Sequence, residues 1–487
     1  MLYKHYVPMN LIGVNLKKKL LFVPRIVNYC IASNKDYSMK PNSKEKAVTI
    51  IEEKLNKLSI NKLSKQSKFC KRKPKKITPK DLLVGFFMMA FSPDKKSYKS
   101  WAIKIGLLIK DKVSKQALWK RMQPEQIEFL KKVLSSAIDK NIGNKIKGNT
   151  NKKLRGFKDV ILEDSTHIKL SDSLWKDYPG NGYWDTEAKK AIVKIQSAYN
   201  IIKKNFTRFE ITSFRKNDQG YAEKILEIVK KGDLLIRDLG YFVLRIFRKL
   251  DEQGVFFISR MKRELKIISK KEEKPIDLAK MLSRKGQLDI EVFLGEEERL
   301  PVRLIAIPVD QAVASERRRK ARANRDRRCN PSKESLFLLG WELFITNVPQ
   351  ERLNLKDIAE IYFLRWRIEI IFKCWKSYFK ITEIPKDANK IRMESYIYCM
   401  LIFIVLFQVG FYNYYMKRLS SRSIKVKMRG LSMMQVMQYL VSNINMLVFG
   451  LKNSSYNLEL ILDKQISYYC IYESRHDRVN YYEKINN

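Results

Sequence analysis

The chain has 487 residues, 45% of them apolar, enough for several domains and a sizeable core. Its 97 Lys and Arg against 51 Asp and Glu leave a net charge of +46, which points to a polyanionic partner, nucleic acid first and an anionic membrane surface second. Six cysteines with no CxxC pair, and only three histidines, exclude a disulfide framework and a structural zinc site and fit a reducing cytoplasm.

Residues 1–45 show no clear period and read as poorly ordered; the apolar run LLFVP at 20–24 is too short for a signal peptide. Residues 46–150 read as helices, with a buried one at 82–91, LLVGFFMMAF. Ser100 to Leu108, a turn at Lys110–Val113, and Ser114 to Met122 are spaced as a helix–turn–helix, with Ser114 as N-cap. Lys115, Gln116, Lys120 and Arg121 then lie on an exposed recognition helix, although an ordinary packed helix pair gives the same pattern. From 151 to 261 the period shifts toward two. Strands are expected at 159–170, 191–202 and 207–214, then a helix at 220–232, a strand at 233–242 ending on a Gly turn, a helix at 242–254 and a strand at 255–261. That order describes a mixed α/β layer.

Residues 262–350 break the rhythm with shorter β-like pieces at 289–295, 301–309 and 340–348. Between the last two, 315–335 carries nine Lys or Arg, Arg317, Arg318 and Arg319 among them; as loop or partial helix it attracts phosphates. Ile361 to Lys380 reads as one amphipathic helix. Leu364, Ile368, Ile371, Phe372, Trp375 and Phe379 form its core side, and Tyr362, Arg365, Glu369 and Lys376 its exposed stripe, joined by Lys373 and Lys380. From Tyr362 to Lys376 the stripe runs about 21 Å, the reach of several nucleotides; a merely solvated face with an Arg365–Glu369 pair is the alternative. Residues 395–416 lack charge and are long enough to span a bilayer. Gln408, Asn413 and the tyrosines favour a buried core helix instead, so no membrane association is expected. Residues 417–487 are helical and basic at first and uninformative after that.

Two strand ends carry an aspartate that shares a face with apolar residues: Asp164 with Leu162 and Val160, Asp238 with Ile236 and Leu234. A carboxylate pointing toward a buried face is costly without a partner. A divalent cation would serve both, with Glu369 as third ligand. Three carboxylates and no histidine select a hard cation, Mg²⁺ or Mn²⁺, and two such ions about 4 Å apart can assist displacement at phosphorus. Turn-capping is the plainer role for either aspartate. Glu163 rivals Asp164, but strand alternation points it to the other face; His167 reads as structural.

The spacing Tyr362, Arg365, Glu369, Lys376 resembles the Y-R-E-K signature of bacterial insertion-sequence transposases of the DDE superfamily. Asp164 in LEDST and Asp238 in IRDLGYF resemble that family's first two catalytic aspartates, the Arg-rich run with GWELFITNVP resembles the end of its inserted β-rich domain, and SKQALWKRM its N-terminal DNA-binding region. The resemblance covers roughly residues 45–420. It implies an RNase H-like mixed sheet flanked by helices at 151–261 and 351–420, interrupted by a β-rich insertion at 262–350, with a helical DNA-binding domain at 46–150; residues 421–487 lie beyond it and read as a C-terminal helical region from the sequence itself. The implied function is cleavage of the element's own ends and their joining to target DNA, by a homodimeric complex on double-stranded DNA. Asp164, Asp238 and Glu369 would hold the metals, and Tyr362, Arg365 and Lys376 the DNA phosphates. Trp341 is the candidate for stacking on a flipped base; Trp366 is the alternative, though its place in the signature helix suggests packing. A catalytically inactive, transposase-derived DNA-binding protein is the rival reading.

Overall fold

The computed structural model describes residues 55–92, 95–142, 152–180, 189–323, 330–407, 411–443 and 456–471. The expectation for residues 1–45 lies outside them. The chain from Lys46 onward forms one compact unit.

The N-terminal helices are α1 (Ile60–Gln66), α2 (Pro79–Phe91), α3 (Tyr98–Ile109), α4 (Lys115–Trp119) and α5 (Pro124–Ile142). Pro79 opens α2 behind a Thr78–Asp81 capping box, so two otherwise unmet backbone donors are satisfied reciprocally. Ser114 caps α4 through Ala117 N, as the spacing predicts.

Among the described residues nine strands follow: β1 (Val160–Lys169), β2 (Ile192–Asn200), β3 (Asn205–Ser213), β4 (Leu234–Arg237), β5 (Phe256–Arg260), β6 (Ile267–Ser269), β7 (Leu288–Leu294), β8 (Leu300–Pro308) and β9 (Trp341–Thr346). They form one sheet in the order β3-β2-β1-β4-β5-β9-β8-β7-β6. β1, β2 and β3 are antiparallel neighbours, while β4 and β5 run parallel to β1, which is the RNase H-like order expected from the resemblance. The stretch 262–350 joins the same sheet: β9 pairs antiparallel with β5, and β8, β7 and β6 extend the edge.

Between these strands lie α6 (Asp218–Tyr221), α7 (Leu244–Glu252), α8 (Leu278–Lys285), α9 (Gln311–Arg322) and α10 (Lys333–Leu338). The helix expected over 220–232 is corrected: α6 is a single turn that tightens into a 3-10 helix at Ala222–Glu227. The cation-rich run is helical through α9, and residues 324–329 lie outside the described ones.

After the sheet come α11 (Leu355–Tyr362), α12 (Trp366–Ser377), α13 (Lys390–Phe407), α14 (Asn413–Arg422), α15 (Ile424–Arg429), α16 (Met433–Ser442) and α17 (Tyr456–Tyr469). The single helix expected over 361–380 is also corrected. A 3-10 turn at Phe363–Arg365 separates α11 from α12, and α12 ends at Ser377. A 3-10 segment advances about 120° per residue against about 100° for an α-helix, so three such residues shift the phase by about 60°.

Strand alternation divides the core. Val160, Leu162, Leu234 and Ile236 belong to an apolar cluster with Ile368, Phe372 and Trp375 of α12. Ile161, Leu235 and Phe257 point the other way, onto Ile246, Phe247 and Leu250 of α7. The first cluster runs on without a break into the N-terminal helices. Phe87 of α2 meets Phe403 of α13 edge-on at 5.1 Å, and Phe86 meets Tyr396 at 5.4 Å. Residues 395–407 are thus a buried core helix, and among the described residues no helix is long and apolar enough to cross a membrane.

Candidate active site

Three elements bring the acidic side chains together. Asp164 sits in β1 on the face that α12 covers, beside Ser197 of β2, whose hydroxyl donates to its main-chain carbonyl at 3.2 Å. Asp238 follows the last residue of β4 and heads the 3-10 turn Leu239–Tyr241. Glu369 lies in the first turn of α12. All three face the Arg365 guanidinium. Its Nη1 is 3.5 Å from Asp164 Oδ2 and bonds Glu369 Oε1, and its Nε is 3.8 Å from Asp238 Oδ1.

The side chains of Arg365 and Asp164 retain 10% and 7% of their exposure and Glu369 retains 41%, so the cluster opens to solvent on the glutamate side. Burial alone would lower the Arg365 pKa; the Tyr362 hydroxyl, Asp238, Glu369 and Asp164 reverse that and hold it above its ordinary value. The arginine is therefore locked in its charged form, and the positive charge the acids need is already in place.

The signature residues do not form an exposed stripe. Tyr362 is buried, its ring against Phe344 at 5.0 Å and Arg365 at 5.7 Å, and burial raises its pKa. The phase shift in the 3-10 turn accounts for this correction, because it turns Tyr362 and Arg365 toward the sheet while Glu369 stays nearer the surface. Lys373 is exposed and Lys376 half-buried. Trp366 is 55% exposed, against the expectation that it packs; with Phe363 and Ile370 it forms an apolar strip on the outer side of this segment.

The other candidate DNA residues are spread over the surface. Lys115 and Gln116 lie on α4, which is only five residues long, so Lys120 and Arg121 fall just beyond it, and Arg121 donates back to the Ala117 carbonyl at 2.9 Å. Trp119 beside them is 62% exposed and carries a flat apolar face that the reading by charge passes over. In α9, Arg317 pairs with Glu342, Arg318 donates to the Leu336 carbonyl at 3.0 Å, and Arg319 pairs with Glu316 on the same helix. Two of these arginines thus tie α9 to its surroundings. Trp341 is half-buried at the start of β9, 6.1 Å from the Phe337 ring. Glu163 does face away from Asp164, into a buried pair with Arg237 at 2.6 Å, and His167 stands edge-on to Phe214 at 5.6 Å.

The profile of the transposase DDE domain matches residues 155–404, just over half of the chain, and encloses all three acids. The chain belongs to that family. It is a DNA transposase of the bacterial insertion-sequence type. The transposase of insertion sequence IS1151 from Clostridium perfringens is 29% identical to it over 370 residues, covering 71% of this chain and 76% of the relative. That of IS231F from Bacillus thuringiensis subsp. israelensis is 27% identical over 367 residues with the same coverage. A solved piggyBac transposase synaptic complex with hairpin DNA superimposes with a TM-score of 0.43 at 10% identity, over 89% of this chain and 88% of its own.

Enzymes of this family work with divalent metal. In this transposase, no three Asp, Glu, His or Cys side chains among the described residues stand close enough to hold one ion as placed. The acids are spread around a guanidinium instead. The donor set nevertheless fits a hard cation: every donor is a carboxylate oxygen, and all three face one point of positive charge.

The residues behind this cluster carry no motif. Asp218, Lys194, Gln196 and Tyr241 form a polar group beneath it, on the opposite face of the sheet; all but Asp218, which is half-buried, are buried. The one sequence signal was the alternation of Lys194 and Gln196 with Val193 and Ile195 in β2, which marks a face that is buried but not apolar.

Proposed function

We propose that this transposase cuts DNA at the ends of its own insertion element and joins them to target DNA, with Asp164, Asp238 and Glu369 holding two Mg²⁺ or Mn²⁺ ions. One observation carries the reading: carboxylates from three separate elements face a single buried cation, Arg365. Nothing in a packing role requires acids from β1, the end of β4 and α12 to meet there. When bound, the metals activate an attacking oxygen and stabilise a leaving one at phosphorus.

The chain itself positions the groups. In the first step water attacks the phosphodiester at the element end. Its oxygen joins phosphorus, the bond to the 3′ oxygen breaks, and that oxygen takes a proton to leave a free 3′ hydroxyl. In the second step this hydroxyl attacks a target phosphodiester in line and releases a target 3′ hydroxyl. Arg365 leaves the carboxylates for the phosphate that arrives with the DNA, a planar guanidinium being well matched to phosphate oxygens. Lys373 and Lys376 lie further along the same helix and neutralise the adjoining backbone. Tyr362 holds Arg365 in place from below. Trp341 stacks on a base near the cut end, and Arg319, Lys115, Gln116, Lys120 and Arg121 contact the flanking duplex, while Arg317 and Arg318 hold α9 in place. Two ends must be brought together, so the working complex is a dimer on DNA, acting in the cytoplasm.

The test is a cleavage and strand-transfer assay with duplexes carrying the element's own ends, in Mg²⁺ or EDTA. Metal-dependent release of a 3′ hydroxyl and its transfer to a target plasmid are expected. End binding without cutting by the wild-type protein in either Mg²⁺ or Mn²⁺ would contradict the proposal.

A further inference from the structure

Asp218 is the residue on which the polar group behind the site converges. A single oxygen, Oδ1, accepts from Lys194 Nζ at 3.0 Å, Gln196 Nε2 at 3.1 Å and Ser165 Oγ at 3.2 Å. Asp218 and Lys194 keep only 13% and 8% of their side-chain exposure. Lys194 also donates to the Lys216 carbonyl at 3.0 Å and lies over the Phe214 ring, so it is held from three sides. The backbone before the aspartate is pinned as well: Asn217 caps α6 by accepting from Gly220 N at 2.7 Å.

What Asp218 touches is more telling than how well it is satisfied. Ser165 immediately follows Asp164 in β1, so the bond to Ser165 holds that strand from the face opposite Asp164. On its other side Asp218 abuts the turn that Asp238 begins. A side chain at Gly240 would place its Cβ 3.2 Å from Asp218 Oδ2. The next residue, Tyr241, donates its hydroxyl to Gln196 Oε1, whose amide nitrogen bonds Asp218. Asp218 therefore joins the β1 end bearing Asp164 to the turn bearing Asp238.

We propose that Asp218 is a positioning residue that sets the separation of Asp164 and Asp238 for metal binding. This rests on the two aspartates being the metal ligands. A largely enclosed carboxylate with three donors on one oxygen is held rigidly, and reacting groups displaced by about 1 Å can lose about a hundredfold in rate. Asp218 acts on the two aspartates through Ser165 of β1 and through the packing of the Gly240 turn.

The experiment compares wild type with Asp218→Ala, Asp218→Asn and Ser165→Ala. It measures end cleavage in Mg²⁺ and in Mn²⁺, Mn²⁺ binding by electron paramagnetic resonance without DNA, and end binding. Mg²⁺ demands near-ideal octahedral geometry, and Mn²⁺ is larger and more permissive. Asp218→Ala is expected to lose about a hundredfold in Mg²⁺ cleavage, to recover about tenfold of that in Mn²⁺, and to bind free Mn²⁺ more weakly, with end binding unchanged. Asp218→Asn retains an acceptor oxygen and stays within about tenfold of wild type. Ser165→Ala removes one of three bonds and shows the same metal dependence at smaller amplitude, which keeps the test decisive if Asp218→Ala does not fold. Folded Asp218→Ala cutting within twofold of wild type in Mg²⁺, or a loss equal in both metals with Mn²⁺ binding intact, overturns the proposal. If Asp218→Ala does not fold, Ser165→Ala with unchanged Mg²⁺ cleavage does so. Wild-type protein that cuts in neither metal overturns the reading of the site itself.

Discussion

If Arg365 supplies the charge that metal would otherwise bring, removing it should make the protein less stable and a better metal binder at once. At about 4 Å and an effective dielectric near 20, each unit-charge pair is worth about 4 kcal/mol before desolvation. The pairs with Asp164 and Asp238 are at 3.5 and 3.8 Å in a largely buried setting. Glu369 is 41% exposed, so its share is screened and counts for little. Burying the guanidinium offsets much of the gain. Truncation nevertheless strands the acids, and removing one partner of a buried pair costs about 3–5 kcal/mol. Arg365→Ala is therefore expected to unfold several degrees below wild type in EDTA. A metal that binds only the folded state at a hundred times its Kd restores about 2.7 kcal/mol. Wild type must first displace its own arginine, and even about 1.4 kcal/mol for that step weakens its affinity about tenfold. Isothermal titration with Mn²⁺, alongside thermal melts with and without it, measures both effects. The variant should bind Mn²⁺ at least about tenfold more tightly and gain more from it on melting. Equal or weaker Mn²⁺ binding by a folded Arg365→Ala would refute competition for the same carboxylates.

Other perturbations test the frame around the site. Glu163→Ala leaves Arg237 fully buried beside no carboxylate and should cost about 3–5 kcal/mol, whereas Glu163→Leu with Arg237→Met should fall within about 2 kcal/mol of wild type by denaturant melts. Gly85→Ala puts a Cβ 2.4 Å from Ile105 Cγ1, where α2 crosses α3; overpacking of about 1–3 kcal/mol outweighs the helix-propensity gain and lowers the melting temperature. Burial pushes the thiols of Cys374 and Cys470 up to about 12 and raises that of Cys399 as well. Mass mapping after brief alkylation of native protein at pH 8 should therefore leave those three unmodified while the partly exposed Cys70 reacts. Arg303 donates to both Asp289 oxygens and to the Val348 and Leu353 carbonyls just ahead of α11. Arg303→Met should therefore loosen α11 and raise its amide exchange ahead of the rest of the sheet.

The strands were legible because their period was unambiguous. Leu162 and Ile236 point to one face, Ile161 and Leu235 to the other, and each aspartate follows its own strand's alternation. The core side of the signature helix was legible for the same reason: Ile368, Phe372 and Trp375 recur at helical spacing and are buried. What periodicity does not carry is a local change of winding. The 3-10 turn at Phe363–Arg365 rotates Tyr362 and Arg365 inward, so a stripe drawn on an ideal helix placed them on the surface. Nor does charge reveal its own partner: Arg317 and Arg318 count toward the basic run but are engaged by Glu342 and the Leu336 carbonyl. Asp218 stood in a polar loop far from either aspartate, and only the pairing of β1 with β2 brings Ser165 and Gln196 to it.

Asp164, Asp238 and Glu369, if they hold the metals together, must act as one unit. The most direct test is single-turnover end cleavage in Mg²⁺ by Asp164→Asn, Asp238→Asn, Glu369→Gln and the triple variant, with end binding measured in parallel. Each single change is expected to abolish cleavage to the level of the triple variant while end binding persists, since groups acting as a unit are not additive. Full cleavage by any one folded single variant would contradict it.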